Sequence, residues 1–231
     1  MSSATTPRSP SVSVGDYLKA IWELAGAGAA STTDVAHRLS VTPASVTNMF
    51  ARLQETDLAE YERYRGASLT ERGHQEALRL VRRHRLIETF LLERLGYPWG
   101  DVHEEAEQLE HAVSDEFTER LAELLGHPEH DPHGDPIPAA DGTLETDDSF
   151  PLAATTAGQR VRIFRVGHEN ASMLDYLGEH GLVPGKVFTV REVRAVDEVV
   201  AVEDEDGESH YLGGPLAAAV FVQGTPEEGD G

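Results

Sequence analysis

The sequence predicts a mainly α chain in three parts: an N-terminal winged helix-turn-helix, a middle pair of long helices, and a small C-terminal β-barrel of SH3-like size. Three observations carry this. Short amphipathic stretches with polar caps precede a strand-like pair ending at Leu69. From Thr70, apolar residues and a His/Glu series recur at helical spacing over two long stretches. After Phe150 the pattern changes to short valine-rich runs. The expected boundaries are 11–75 for the winged domain, 76–138 for the helical domain, 139–149 for a linker and 150–223 for the barrel.

The elements follow in order. Residues 1–12 form a Ser/Thr/Pro-rich arm too polar to bury a core. Tyr17, Leu18, Ile21 and Leu24 share one helical face, predicting a helix from Gly15 to Ala25 that Gly26 and Gly28 end. Ser31-Thr32-Thr33-Asp34 is a capping box for a second helix with Val35, Ala36 and Leu39 inward. After a turn at Ser40-Val41, Thr42 as N-cap and Pro43 at the first helical position open a third helix to about Gln54. Leu58 to Leu69 reads as a two-stranded wing with Arg65-Gly66 at its tip. Thr70 caps a long helix to about Leu95, and Val102 to Leu125 reads as another. His127 to Ser149, rich in Pro, His, Asp and Gly, reads as a linker. Val161, Ile163, Val187, Phe188, Val190, Val199, Val200 and Val202 mark strands, interrupted by a helix over Asn170 to His180. Glu227 to Gly231 is an acidic tail.

The 231 residues carry a net charge of −22, which at first opposes nucleic-acid binding. Its distribution changes that. Residues 1–75 hold 7 basic and 8 acidic side chains, and the remainder holds 12 and 33. The surplus acid therefore lies almost wholly outside the N-terminal third. Lysine occurs only at positions 19 and 186. Surplus acid with scarce lysine predicts a halophilic protein; the other reading is an ordinary acidic protein with an arginine-biased genome. The absence of cysteine excludes disulfides, zinc knuckles, iron–sulfur clusters and a thiol nucleophile. No apolar run approaches the roughly 18 residues of a membrane helix. The polar start lacks a signal-peptide core, so a cytoplasmic location is expected.

Two constellations carry chemistry. The third helix should enter the major groove of DNA by its N-terminal end. Its outward residues are Thr42, Pro43, Ala44, Ser45, Thr47 and Asn48, whose hydroxyls, amide and methyl suit base edges and phosphates. Arg63 and Arg65 in the wing suit phosphate or a narrow minor groove. A generic trihelical domain with a polar face remains the plain alternative. On the long helices, His84 and Glu88 are one turn apart, and His103, Glu107, Glu110 and His111 share one face of the next helix. Clustered imidazoles and carboxylates repel unless a cation joins them. An oxygen-rich, sulfur-free set with a few imidazoles suits Mn2+ or Fe2+. A solvated acidic face is the alternative. A third tract, His127, His130 and His133, resembles a metal-binding run but falls in the linker.

The segments GDYLKAIWEL, VTPASVTNMFARL, YERYRGASLTERG, RRHRLIETFLLERLG, VHEEAEQLEHAVSDEFTERL and HGDPIP, in this order, resemble the diphtheria-toxin-repressor family of iron- and manganese-dependent repressors. The likeness is close over residues 11–138 and looser over the C-terminal part, which resembles the family's SH3-like (FeoA-like) module. It implies a homodimer that binds double-stranded operator DNA when activated by metal. It implies an activating site of Asp16, Glu107, Glu110 and His111, and an ancillary site of His84, Glu88 and His103. His168 and Glu169 are the nearest candidates for ligands from the C-terminal module. Iron-type members have methionine at the position of Asp16 and cysteine at that of Glu107, so the acidic pair here implies the manganese type. Short manganese-type members have a second carboxylate where this chain has Lys19, so a closely bridged two-ion cluster of that kind is not implied.

The resemblance also implies a mechanism. A shared ion would tie the helix bearing Asp16 to partners more than 90 residues later, fixing the DNA-reading domain. Leu86, Ile87, Phe90, Leu91 and Leu95 offer an apolar stripe, either a dimer seam or intrachain core. An iron-responsive repressor, a metal-dependent hydrolase and a metal-sensing module without DNA are the alternatives. The hydrolase lacks a motif such as H-E-x-x-H, and the module would not need the Thr-Pro-capped helix.

Overall fold

A computed structural model describes residues 13–26, 28–167 and 170–225. The N-terminal arm, His168, Glu169 and the acidic tail lie outside the described residues. The chain divides into two compact units, Met1–Val81 and Arg82–Gly231.

The first unit contains α1 (Val14–Ala25), α2 (Thr32–Arg38), α3 (Pro43–Glu55), the hairpin of β1 (Ala59–Glu62) and β2 (Gly66–Leu69), and the first turns of α4 (Glu71–Leu95). Each of the first three helices starts on a side-chain cap. Ser13 accepts the Asp16 N–H while the Asp16 carboxylate accepts the Ser13 N–H at 2.6 Å. Ser31 accepts from Asp34, and Thr42 accepts from Ser45 with Pro43 following. Such caps are worth about 1 kcal/mol each. Ile21, Val35, Val46, Phe50, Leu53 and Ala67 are fully buried at the centre. Each large side chain among them stabilises the fold by about 1.5–3 kcal/mol.

The wing departs from expectation at its tip. Gly66 is not in the turn; it pairs with Glu62 as the first residue of β2, leaving Arg63, Tyr64 and Arg65 as the tip. Ala67 exchanges two backbone hydrogen bonds with Ala30, at 2.8 and 3.0 Å. That pairing brings the Ala30 carbonyl so close that a Cβ on Gly66 would lie 2.1 Å from its oxygen.

The second unit holds the rest of α4, then α5 (Val102–Leu109) and α6 (Asp115–Leu125). A continuous helix over Val102 to Leu125 is not formed. Ser114 caps a new helix by accepting the Phe117 N–H, and the Arg83 guanidinium takes the Glu110 carbonyl at 2.9 Å. Leu86, Ile87 and Leu91 of the apolar stripe pack with Val102, Ala106, Leu121, Ala122 and Ile137, so these three are intrachain core. Leu95 stays 55% exposed.

The sheet region comprises β3 (Phe150–Pro151), a 3-10 turn, β4 (Arg160–Val166), α7 (Ala171–Glu179), β5 (Val187–Arg194), β6 (Val199–Asp204), β7 (Ser209–Leu212), α8 (Gly214–Ala219) and β8 (Val220–Gly224). The strands form an antiparallel sheet in the order β3-β8-β4-β5-β6-β7. Register shifts between Ile163 and Arg165 and between Val190 and Glu192 bend it around one apolar core. This is the small SH3-like fold expected, with α8 added.

The stretch read as a linker from His127 is partly a tight turn. The Asp131 Oδ1 accepts backbone N–H groups of His133 and Asp135 at 2.8 and 3.0 Å, and the Ile137 N–H reaches the Glu129 carbonyl. The turn lies against the sheet: Val166 donates to the His133 carbonyl at 2.8 Å. Gly134 has φ +91°, and a Cβ there would lie 2.1 Å from the Phe164 oxygen. Trp99 donates its indole N–H to the Pro132 carbonyl and stacks on His133. No described helix is long and apolar enough to cross a membrane.

Candidate metal centre

The sequence RRHR on α4 sorts its cations and its imidazole to different neighbours. Arg82 pairs with Glu119 and with the Pro138 carbonyl, Arg83 with Asp115, and Arg85 with the Pro136 carbonyl. These contacts fix α4 against α6 and the turn. His84 is thereby left facing inward, 6% exposed, one helical turn from Glu88, which is 1% exposed.

His84, Glu88 and His103 converge. The Glu88 Oε1 lies 2.8 Å from His84 Nε2 and 2.9 Å from His103 Nδ1, and the two nitrogens are 3.0 Å apart. As hydrogen bonds the triangle is awkward: protonating both nitrogens places two N–H groups side by side. Adjacent ligands of an octahedral ion with bonds of about 2.1 Å stand roughly 3.0 Å apart. The three edges match that spacing, so the residues fit a divalent ion. Burial works to raise the Glu88 pKa. The charge of His84, hydrogen bonds from His103 and His84, and the charge of His133 outweigh it, holding the carboxyl well below its usual range.

Glu110 extends the cluster. It is fully buried just past the end of α5, with Oε2 2.6 Å from His84 Nδ1 and Oε1 3.5 Å from His111 Nε2. Ligand atoms of His84, Glu107 and Glu110 all lie within 4.8 Å of one another. Asp16 belongs to the first unit, where it closes the capping box of α1. His168 and Glu169 lie outside the described residues.

The residues expected to read DNA occupy one exposed run. Thr42, Pro43, Ala44, Ser45, Thr47 and Asn48 are all exposed at the start of α3, over a buried Val46. Part of their hydrogen-bonding capacity is used locally: Thr42 and Ser45 hydroxyls are 2.9 Å apart, and Thr47 donates to the Pro43 carbonyl. Arg63 lies over the Tyr64 ring and Arg65 pairs with Glu62 at 2.9 Å. Both arginines are exposed at the wing tip.

Sequence reasoning missed Asp131 and His133 as a pair. Their ligand atoms and those of Glu88 lie within 4.8 Å of one another, all buried. The signal was the HDPHGDPIP run, read as linker because Pro and Gly dominate it. A second overlooked group, Asp204, Glu208 and His210, sits on the β6–β7 hairpin.

Comparison with known proteins finds three family models along the chain. The iron dependent repressor N-terminal DNA binding domain matches residues 11–67, the iron dependent repressor metal binding and dimerisation domain 70–139, and the FeoA domain 150–224. An uncharacterised HTH-type transcriptional regulator of Methanocaldococcus jannaschii is 41% identical over 113 residues, 48% of this chain and 90% of that protein. The iron-dependent repressor IdeR of Mycobacterium leprae is 27% identical over 220 residues, 90% of this chain and 95% of the relative. Among solved structures, a manganese-dependent transcriptional repressor in complex with manganese has a TM-score of 0.85 at 36% identity, covering 92% of this chain and all of its own.

Proposed function

We propose, for a chain that belongs to the diphtheria-toxin-repressor family of iron- and manganese-dependent transcriptional repressors, that it is a metal-activated repressor binding operator DNA as a homodimer. The observation that carries the metal part is the His84–Glu88–His103 triangle, whose edges of 2.8, 2.9 and 3.0 Å suit one divalent ion. Family membership removes support from the hydrolase reading, since its members are DNA-binding repressors rather than enzymes.

Residues 11–75 act as the DNA-binding domain, 76–138 as the dimerisation and metal-binding domain, 139–149 as linker and 150–223 as the FeoA-like module. Asp16, Glu107, Glu110 and His111 hold the activating ion, and His84, Glu88 and His103 hold the ancillary one. The hard donor set favours Mn2+ and accepts Fe2+. When bound, the ion supplies positive charge that offsets the mutual repulsion of these carboxylates. Asp16 and the three later ligands then hold the DNA-reading domain in one arrangement. The recognition helices of a dimer must reach major grooves about 34 Å apart, so fixing this arrangement favours the binding-competent state. Thr42, Pro43, Ala44, Ser45, Thr47 and Asn48 face base edges and phosphates, and Arg63 and Arg65 contact the backbone or minor groove. Regulated genes would be those of metal uptake, and the site of action the cytoplasm.

The mycobacterial relative favours a second reading, with iron as activator. The test is a gel shift on DNA upstream of the protein's own gene, titrated separately with Mn2+ and, anaerobically, with Fe2+. Binding that rises with Mn2+ supports the main reading, a response to iron alone supports the second, and metal-independent binding overturns both. Halophily is a separate proposal, motivated by the acid outside residues 1–75 and the scarcity of lysine. It expects DNA binding to persist in molar potassium salt; a loss of about 10³–10⁵ in affinity between 50 and 200 mM salt, ordinary for six to ten phosphate contacts, overturns it.

A further inference from the structure

We infer that Arg83 is a positioning residue for the activating metal site: it holds the backbone of Glu110 while its neighbour His84 holds the carboxylate. This rests on the reading that Glu107, Glu110 and His111 are ligands of that ion.

Glu110 closes α5 and is fully buried. Its own N–H is bonded to the Ala106 carbonyl at 2.9 Å, so the residue still belongs to the helical ladder. Its carbonyl does not. In an unbroken helix the Ser114 N–H, four residues on, would donate to it. Ser114 is instead extended, at φ −88° and ψ 164°, and its hydroxyl caps α6. The Glu110 carbonyl is thus one of the orphaned acceptors that a helix end leaves. Arg83 Nη1 donates to it at 2.9 Å, from 27 positions earlier in the chain.

Arg83 and His84 are consecutive on α4, so their side chains leave the helix about 100° apart. Both nevertheless close on Glu110. Arg83 takes the main-chain oxygen, and His84 Nδ1 lies 2.6 Å from Oε2. A residue held at its backbone and at one carboxylate oxygen has little freedom left. Its Oε1 then faces His111 Nε2 at 3.5 Å. The grip also fixes the turn that carries His111, in which Ala112 donates to the Leu109 carbonyl more tightly than an α-helix allows.

The guanidinium is placed for this contact. Its side chain is 15% exposed, and Nε is buried with no hydrogen-bond partner among the described residues. Only the outer fork is used, Nη1 on the carbonyl and Nη2 on Asp115 at 2.7 Å. An unpaired buried donor is unfavourable, so reaching Glu110 prevails over full pairing of the guanidinium. Asp115 is 79% exposed, and an ion pair to so open a carboxylate contributes little. Arg82 and Arg85 reach the Pro138 and Pro136 carbonyls, so neither stands in for Arg83.

The test titrates Mn2+ into the full chain carrying His103→Gln, to remove the ancillary ion, and follows bound and free metal by electron paramagnetic resonance. Arg83→Met should raise the dissociation constant of the remaining ion by about 10–100-fold, the usual effect of losing a residue that orients a ligand. It should also alter the spectrum of the bound ion at saturation. Arg83→Lys, which keeps a donor, should recover most of the affinity. Asp115→Ala should stay within about twofold of the parent. Circular dichroism melts of the metal-free variants check that each folds. Should Arg83→Met not fold, Arg83→Gln is read in its place, because its amide ends near the level of the unpaired Nε and short of the carbonyl. A merely structural arginine would lower the melting temperature and leave the dissociation constant and spectrum unmoved. That result, or an equal loss with Asp115→Ala, overturns the inference. Glu110→Ala in the same background tests the reading beneath it: unchanged binding of the ion there overturns both. Loss of the ion in Glu110→Ala with normal binding in Arg83→Met overturns only the role of Arg83.

Discussion

His84, Glu88 and His103 on the helices, and Asp204, Glu208 and His210 on the β6–β7 hairpin, bring the same side-chain types together in opposite settings. On the hairpin, Asp204 Oδ1 already accepts the N–H groups of Asp206 and Glu208, and His210 stands 3.6 Å from the other oxygen. Asp204 has its pKa lowered chiefly by the backbone bond from Glu208, which describes a carboxylate capping a turn in contact with water. Around Glu88 water is shut out, and neighbouring imidazoles hold the ionised form. Burying a charge without compensation costs several kcal/mol in practice, so the helical cluster must be completed by protons or a cation, whereas the hairpin need not be. Convergence of ligand types marks a site only where solvent cannot do the same work.

Four experiments break or sharpen that contrast, from the largest effect down. Glu110→Ala should abolish metal-dependent operator binding, while Glu88→Ala weakens it only partially; equal loss in a gel shift would mean the two proposed ion sites act as one. Mn2+ at about 100 times its dissociation constant should stabilise the fold by about 2.7 kcal/mol per independent site. Glu88→Gln should reduce the resulting rise in melting temperature and Asp204→Asn should not; a drop in the latter would place an ion on the hairpin.

The third concerns acid. Because the folded pKa of Glu88 is depressed below its ordinary 4.5, its ionised form stabilises the metal-free fold above that value. The contribution is lost as pH falls through the lowered folded value. Glu88→Gln should therefore flatten the dependence of urea midpoint on pH below about 4.5, and an unchanged acid profile would contradict the assignment. The smallest effect belongs to Asp204→Asn at neutral pH, within about 0.5 kcal/mol of wild type by denaturant titration, as for an ordinary surface substitution. A larger loss would show the hairpin carboxylate to be more than a turn cap.

Much of this was legible in local sequence. Thr42-Pro43 and Ser31 announced their helices because a cap acts within three residues. The one-turn spacing of His84 and Glu88 placed them on a common face, and the family resemblance brought in His103. The break between α5 and α6 was harder, since residues 102–125 contain neither Gly nor Pro and keep apolar residues at helical spacing. Ser114 and the reach of Arg83 to the Glu110 carbonyl decide it, and the second of these is tertiary. The burial of His133 was unreadable for a related reason. A Pro- and Gly-rich run looks like linker, and its burial depends on Trp99, 34 positions earlier, and on β4, some thirty later. The tip of the wing shifted because Ala30 pairs with Ala67, a partner no local pattern reveals.

The close approach at Gly134 bears on how such repressors can be recombined. A protein engineer moving the FeoA-like module to another host would cut in the stretch without helix or strand after Pro138, where the sequence most resembles a hinge. That cut leaves behind the turn whose glycine fits the Phe164 carbonyl and whose backbone caps Val166. The transplanted sheet would arrive with an open seat for a turn its new host does not make. The heritable unit is therefore longer than the visible module: it begins near Glu129, and chimeras joined ahead of that residue should fold while those joined after Pro138 expose the end of β4.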